Sequence, residues 1–418
     1  MQKLTDAGFE TWCVGGAVRD ALLGIKNQDW DVATAAHPER VRKLFRNVIP
    51  VGIKFGTVGI VDKHDVMHEV TTFRRDVTHD GRHAVVEFGA SFLEDLKRRD
   101  FTINAIGYDP LNHRLYDPFD GRRDMADGLL RAVGTPIERF EEDRLRVLRG
   151  IRFAARFRFR IEQETWNAMV ESGPHLGRLS PERVKQELDK TLEQAERPSE
   201  AFRLWQKTGA FHSVLPALVT TSPGTLQAVD RQPRPNSAMT VPRRQLRRLL
   251  RLITLFSDCS AKSVVAALKE LRAPNAETTF ACAIIERWHL LGDTIAVAVS
   301  PISAPSDGEL RTLASAIGRT RVRSFMRLAW ARLPEVDRSA FRSVYRRLLH
   351  IALHDAIEVA DLAIDGDDLK MIGVPPGKAY GPIFAKLLNA VVRNPSLNNR
   401  DELLQMARDI YRRMQDRA

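Results

Sequence analysis

The chain has 418 residues, with 64 Lys and Arg against 53 Asp and Glu and a formal net charge of +11. That length predicts two to four domains, and the positive surplus points to a polyanionic partner, most simply nucleic acid. Three scattered cysteines, Cys13, Cys259 and Cys282, fit neither a disulfide framework nor a zinc site and suit a reducing cytoplasm; with no apolar run of about eighteen residues, no membrane span is expected. Residues 10–14 read as a short strand entering the turn at Gly15-Gly16, and a helix follows from about 17 to 23. A second strand covers 29–34, and Pro38 opens a helix carrying Val41, Leu44 and Phe45. Segments 48–51, 57–61 and 66–72 gather β-branched residues as strands do. After about residue 122 the periodicity becomes helical, as in Leu145, Leu148, Ile151 and Ala155, or Val184, Leu188 and Leu192. Turn-rich stretches lie near 219–242 and 300–308. The fold class is α+β, a small mixed sheet with helices followed by a long all-α part.

The chemistry-bearing pattern opens with Gly15-Gly16-Ala17-Val18-Arg19-Asp20, followed nine residues later by Asp29-Trp30-Asp31. Two glycines let backbone N–H groups approach a phosphate, and Arg19, one turn into the helix, reaches the same anion. Asp20 suits the task of orienting Arg19. Asp29 and Asp31, spaced i and i+2, share one face of a strand. Such a pair can hold divalent ions against a nucleoside triphosphate. One ion lowers the pKa of an attacking 3′-hydroxyl, and a second neutralises the leaving pyrophosphate, so two Mg2+ are expected. Trp30 faces the other side. Glu69, on the later strand, offers a third carboxylate across the sheet. In this order the motifs resemble the head of a nucleotidyltransferase with a polymerase-β type of site.

Further segments carry a closer resemblance. They are Glu69–Arg74, Arg98-Arg99-Asp100-Phe101-Thr102-Ile103-Asn104-Ala105, Asp117–Gly121, Glu142–Arg146 with Arg149 and Arg152, Ser180–Arg183, and the stretch from Asp361 to Leu404. In order and over nearly the whole chain they resemble the class II tRNA nucleotidyltransferase and poly(A) polymerase family. The resemblance implies a polymerase-β-like head over 1–121, a neck over 122–205 that recognises the base, a helical body over 206–330 and a helical tail over 331–418 that contacts tRNA, the all-α part being elongated. It implies that Arg98, Arg99 and Asn104 hold the nucleotide's sugar and triphosphate, and that the segment from Asp117 to Gly128 is a hinge between head and neck. It also implies that Asp143 and Arg146, assisted by Arg149 and Arg152, select the base.

The selection has a physical rationale. Asp143 and Arg146 fall i, i+3 on a predicted helix and so share a face. An ionised Asp only accepts hydrogen bonds and an Arg only donates. Cytosine and adenine present an amine donor beside a ring-nitrogen acceptor and satisfy the pair. Guanine and uracil present a carbonyl and an N–H there, leaving groups unpaired at about 1–3 kcal/mol each.

Farther along, Arg244, Arg247, Arg248 and Arg251 recur at helical spacing opposite Leu246, Leu249, Leu250 and Ile253, giving a basic face suited to RNA phosphates. Gly366 and Gly377 mark turns before helices whose N–H groups could take phosphates. The expected activity is template-independent addition of CCA to the tRNA 3′ end from CTP and ATP, in the cytoplasm, with no protein partner implied. Addition of A alone or CC alone, a poly(A) polymerase, and an inactive RNA-binding protein are the alternatives. The loop over 73–88 argues against CC-only addition, while its lack of the usual Tyr and Pro leaves A-only addition open.

Overall fold

The computed structural model describes residues 1–26, 30–79, 84–232 and 241–416. The chain divides into two compact units, 1–219 and 220–418. In the first, strands β1 (Thr11–Val14), β2 (Asp31–Thr34), β3 (Val48–Gly52), β4 (Thr57–Val61) and β5 (Met67–Thr72) follow the sequence pattern closely. A separate hairpin comes next, β6 (Arg74–His79) with β7 (Ala84–Phe88); residues 80–83 of the expected loop lie outside the described residues. With β8 (Gly107–Asp109) and β9 (Arg114–Tyr116), a seven-stranded sheet runs in the order β3-β4-β5-β2-β1-β8-β9. Only β2 and β5 pair in parallel, so the sheet is mixed as expected.

The alternation along each strand divides the head core between two faces. Trp12, Val14 and Ala33 pack with Phe73, Phe92 and Leu96 on one side, and Val32, Val58 and Val70 pack with Leu4 and Val41 on the other. Asp31 lies two residues before Ala33 and opposite Val14, at the end of the first face. The Pro38–Leu44 helix has Pro in its first turn, and its expected last residue, Phe45, is already extended (φ −119°, ψ 141°). The Phe92–Lys97 helix opens on a capping box of Ser91 and Glu94.

Gly121 has a packing role. Its N–H and that of Arg122 donate to the Asp117 carboxylate at 2.8 and 2.9 Å. A Cβ there would lie 2.3 Å from the backbone oxygen of Thr102, so only glycine lets the Gly121–Ala126 helix rest on the Thr102–Asn104 turn. The rest of the unit is helical, led by Pro136–Glu142, Leu145–Phe157, Gln163–Ser172 and Pro181–Gln194.

Among its described residues, the second unit is entirely helical and loop, and residues 233–240 of the expected turn-rich stretch lie outside the description. The basic helix is Val241–Leu255, but its polarity differs from expectation: Arg247 and Arg251 are buried, and Arg248 pairs with Glu277 at 2.5 Å. A long aliphatic stem lets arginine lie against a core, so the periodicity finds the helix but not the side that is covered. The tail packs Leu362, Ile364, Leu369, Ile383, Leu387, Val391 and Leu403 into one cluster. The start of the Gly366–Met371 helix is not a phosphate site, because the Asp365 carboxylate already accepts from the N–H groups of Asp367 and Asp368. No helix among the described residues is long and apolar enough to cross a membrane.

Candidate active site

One cavity of about 440 Å³ in the first unit collects most of the expected site residues. Gly15, Gly16, Arg19, Asp31, Arg98, Arg99, Asn104, Asp143, Arg146, Arg149 and Arg152 all line it. Glu69 is not on that lining, and Asp29 lies outside the described residues. Gly15 adopts φ +76°, and a Cβ on it would meet Arg99 Nη1 at 3.3 Å and Asp31 Oδ2 at 3.4 Å. The glycine therefore lets the turn pass beside both the Asp31 carboxylate and the Arg99 guanidinium. Glu69 precedes Val70, which pairs with Val32 in the parallel register, so Glu69 falls beside Asp31 on the neighbouring strand. Among the described residues, no group of three or more His, Cys, Asp and Glu side chains is close enough to hold a metal ion.

The cavity wall is a continuous polar chain. Arg156 Nη2 donates to Asp20 Oδ2 at 3.0 Å, and Arg19 donates through Nε and Nη2 to Asp20 Oδ1 at 2.8 and 2.6 Å. Asp20 thus orients Arg19, as its place in the motif suggests. Arg19 Nη1 also donates to Asn104 Oδ1 at 2.6 Å. The Asn104 amide donates to Asp100 Oδ1 at 2.9 Å, and Arg149 Nε donates to Asp100 Oδ2 at 2.8 Å. Asp100 also accepts from the Phe101 N–H, so it ties both the start of the turn and the Asn104 side chain to Arg149. Burial would raise the Asp100 pKa, but the Arg149 guanidinium and the Asn104 amide outweigh it and hold the carboxyl at about 2. Burial pulls the pKa of Arg19, Arg99 and Arg152 down, whereas Asp100 pushes that of Arg149 up.

Nine basic side chains line the cavity against three acidic ones. Some of this charge is neutralised from behind. Asp95 binds Arg98 Nη2 at 2.8 Å and Arg99 Nη2 at 3.4 Å, and Glu187 binds buried Arg152 at 2.6 Å. Phe153 and Phe157, one turn apart on the Leu145–Phe157 helix, supply flat supports. Arg19 lies 5.1 and 4.8 Å from their centroids, Arg152 lies 4.3 Å from Phe153, and Arg156 lies 4.7 Å from Phe157. Stacking holds these guanidiniums in place at little cost in hydration.

Asp143 and Arg146 do not share a helix. Asp143 is extended (φ −149°, ψ 100°), and the helix begins at Leu145. The reason is local hydrogen bonding: Asp143 Oδ1 accepts from the Leu145 N–H at 3.1 Å, an Asx-type turn that holds Asp143 in a non-helical conformation. Its Oδ2 accepts from Arg183 at 2.7 Å. Arg146 donates to the carbonyls of Arg139 and Arg98 at 2.8 and 2.9 Å and to Glu142 at 2.6 Å. Both side chains are thus fixed by other partners and still face the cavity. Two of the five Arg146 N–H groups and further carboxylate lone pairs are left for a ligand.

Sequence reasoning missed Phe153, Arg156, Lys190 and Gln194 on the lining, and it quoted Arg183 only as part of a motif. The signal for Phe153 and Arg156 was present in their helical spacing from Arg149 and Arg152.

Comparison with known proteins bears on the family and the fold. Residues 11–131 match the poly A polymerase head domain, and residues 158–220 match the probable RNA and SrmB-binding site of polymerase A. The CCA-adding enzymes of Leuconostoc mesenteroides and Streptococcus gordonii are 46% and 48% identical over 196 and 194 residues, 46% of this chain in each case. The chain spans about half the length of those two relatives, 48% of each. The CCA-adding enzyme of Lactiplantibacillus plantarum is 32% identical over 416 residues, covering 98% of this chain and 94% of its own. The crystal structure of the Bacillus stearothermophilus CCA-adding enzyme in complex with CTP superposes with a TM-score of 0.78 at 29% identity, over 100% of this chain and 97% of that one.

Proposed function

The chain belongs to the family of the CCA-adding enzymes, and from that premise we propose that it adds the 3′-terminal CCA to tRNA from CTP and ATP, without a nucleic-acid template and with release of pyrophosphate. The observation that carries this reading is the joining, in one cavity, of Asp31, the Gly15-Gly16 turn, a cationic wall, and an Asp143 and Arg146 held apart from one another. The cationic wall suits a triphosphate. Asp143 accepts the exocyclic amine of cytosine or adenine, and Arg146 donates to the neighbouring ring acceptor. Guanine and uracil leave both groups unpaired. Arg98, Arg99 and Asn104 take the sugar and phosphates, and Arg149 and Arg152 support the base-reading side.

The family's reaction is metal-dependent. In this chain Asp29 and Asp31 would hold two Mg2+, with Glu69 as a third carboxylate nearby, and hard oxygen donors beside a triphosphate pocket fit that metal. Bound there, the ions would supply Lewis acidity at the triphosphate and at the attacking hydroxyl. The protein's own part is positional. The Gly15 turn brings backbone close to Asp31, and Asp20, Asn104 and Phe157 hold Arg19. We divide the chain into a head over 1–121, a neck over 122–205, a body over 206–330 and a tail over 331–418, the tail receiving the tRNA.

Purified protein incubated with tRNA ending at the discriminator base, in separate ATP, CTP and mixed reactions, tests the proposal. Three residues added in the mixture, two with CTP alone and none with ATP alone are expected on a sequencing gel. Addition of A alone, arrest at CC, or a long A tract would each replace the reading with a narrower or different polymerase.

A further inference from the structure

A second arginine-lined cavity, of about 520 Å³, lies wholly within the helical unit. Arg243 and Arg247 face it from the Val241–Leu255 helix, and Arg323 and Arg327 face it from the Val322–Arg332 helix. Each pair is spaced i, i+4, so like charges meet on one helix face, an arrangement that destabilises a helix unless something neutralises it. Among the described residues no carboxylate pairs with Arg243, Arg323 or Arg327, no acidic residue lines the cavity, and the neighbouring segment 233–240 contains no Asp or Glu. Arg247 is only 4% exposed and Ser324 only 5%, so the cleft reaches inward to a buried guanidinium and a buried hydroxyl. Burial first, and then the charge of Arg247, lower the pKa of Arg251 behind it. One wall is apolar, made by Leu246, Leu250 and the ring of Tyr345.

We propose that this cleft is a second phosphate-binding site, for a small polyphosphate ligand of nucleotide size, with its phosphates on the four arginines and its remainder against Tyr345 and Leu250. The volume is that of a small-molecule site rather than of a surface track. Four guanidiniums around one concavity match a ligand that concentrates several charges on adjacent phosphates, whereas a nucleic-acid backbone presents them singly along its length. Arg243, Arg323 and Arg327 are exposed at the rim and Arg247 is buried at the base, so the positive field deepens toward the floor of the cleft.

The test uses the full chain and its Arg323→Glu/Arg327→Glu variant, titrated calorimetrically with inorganic pyrophosphate and with ATP in buffer lacking divalent ions. Both substituted residues are exposed, and the milder Arg327→Gln variant guards against a folding defect. Wild type should show a second equivalent of ligand beyond the head site. The double variant should weaken that equivalent by about tenfold or more and keep the head equivalent. Hydrogen exchange should show protection by pyrophosphate in 241–255 and 322–332 in wild type only. Equal binding of the two probes assigns recognition to the polyphosphate, and tighter ATP adds the nucleoside against Tyr345. Unchanged stoichiometry with no protection overturns the proposal. So does a variant that loses tRNA affinity while binding pyrophosphate and ATP as wild type does, since the cleft would then be an RNA phosphate contact.

Discussion

At the scale of single residues, the site depends on side chains whose partners fix their direction. On the proposed reading, Asp143→Ala should remove the acceptor for the base amine, and it leaves Arg183 without its 2.7 Å partner. The expected result is a fall of roughly ten- to a hundredfold in kcat/KM for CTP and ATP, with weaker rejection of UTP and GTP, because one charged hydrogen bond is worth about 1.5–3 kcal/mol. Single-nucleotide incorporation with all four triphosphates on one tRNA measures it. Equal slowing of all four, with the preference order intact, would make Asp143 a structural residue only. Asp100 gives a pH signature. Its pKa is lowered from 3.8 to about 2 on folding, so the stability it contributes is complete above the unfolded value and is lost as pH falls through the folded one. Asp100→Asn should thus be destabilised near neutrality, and its deficit against wild type should shrink between about pH 4 and pH 2. Paired thermal melts across that range check the sign. The residue types of this site were legible in the sequence, because Gly15, Asp31, Arg98, Asp143 and Arg146 sit in short motifs whose chemistry is local. Their partners were legible only where they lie close in sequence, as Asp20 does beside Arg19; Arg183 and Glu187 become neighbours of Asp143 and Arg152 only when helices pack.

At the scale of elements, β1 to β5 and the helices follow the β-branched clusters and the 3.6-residue period closely, whereas the segment read as a loop over 73–88 carries the β6–β7 hairpin and the short β8 and β9 went unread; other errors lie where side chains compete with backbone. Asp143 leaves the helix because its carboxylate closes a local turn onto the Leu145 N–H, and the N–H groups at the start of the Gly366–Met371 helix go to Asp365 instead of an external anion. The Val241–Leu255 helix shows a second limit. Its period is clear, but arginine suits both water and a core lining, so the buried side could not be read from periodicity. Gly121 makes an element-level prediction. Ala at this position would place Cβ 2.3 Å from a backbone oxygen, and backbone cannot swing aside as a side chain can. Gly121→Ala should lower stability by about 1–3 kcal/mol, seen as an earlier unfolding midpoint. A variant that melts with wild type would show that the Gly121–Ala126 helix shifts freely on its turn, as a hinge would.

At the scale of the whole molecule, the +11 charge makes binding to a polyanion salt-dependent. On the proposed reading, tRNA affinity measured by filter binding should fall at least about tenfold between 50 and 200 mM salt, through counterion release; a flat dependence would place binding in contacts other than phosphates. Cutting off the tail is a poor alternative test, because Arg311 donates to the Val392 carbonyl at 2.9 Å and Arg319 pairs with Asp361 at 2.5 Å, so truncation would strip partners from the body. The polar chain from Arg156 through Asp20, Arg19, Asn104 and Asp100 to Arg149 has a consequence for how such a molecule can be cut and recombined. Its carboxylates come from before residue 121, and two of its cations come from the Leu145–Phe157 helix. A head expressed alone, or transplanted onto a foreign neck, would bury Asp20 and Asp100 without the countercharges that the helix supplies. Chimeras between relatives should therefore fail at a junction near residue 121: on the proposed reading, the part that binds the triphosphate and the part that reads the base are inherited as a single piece.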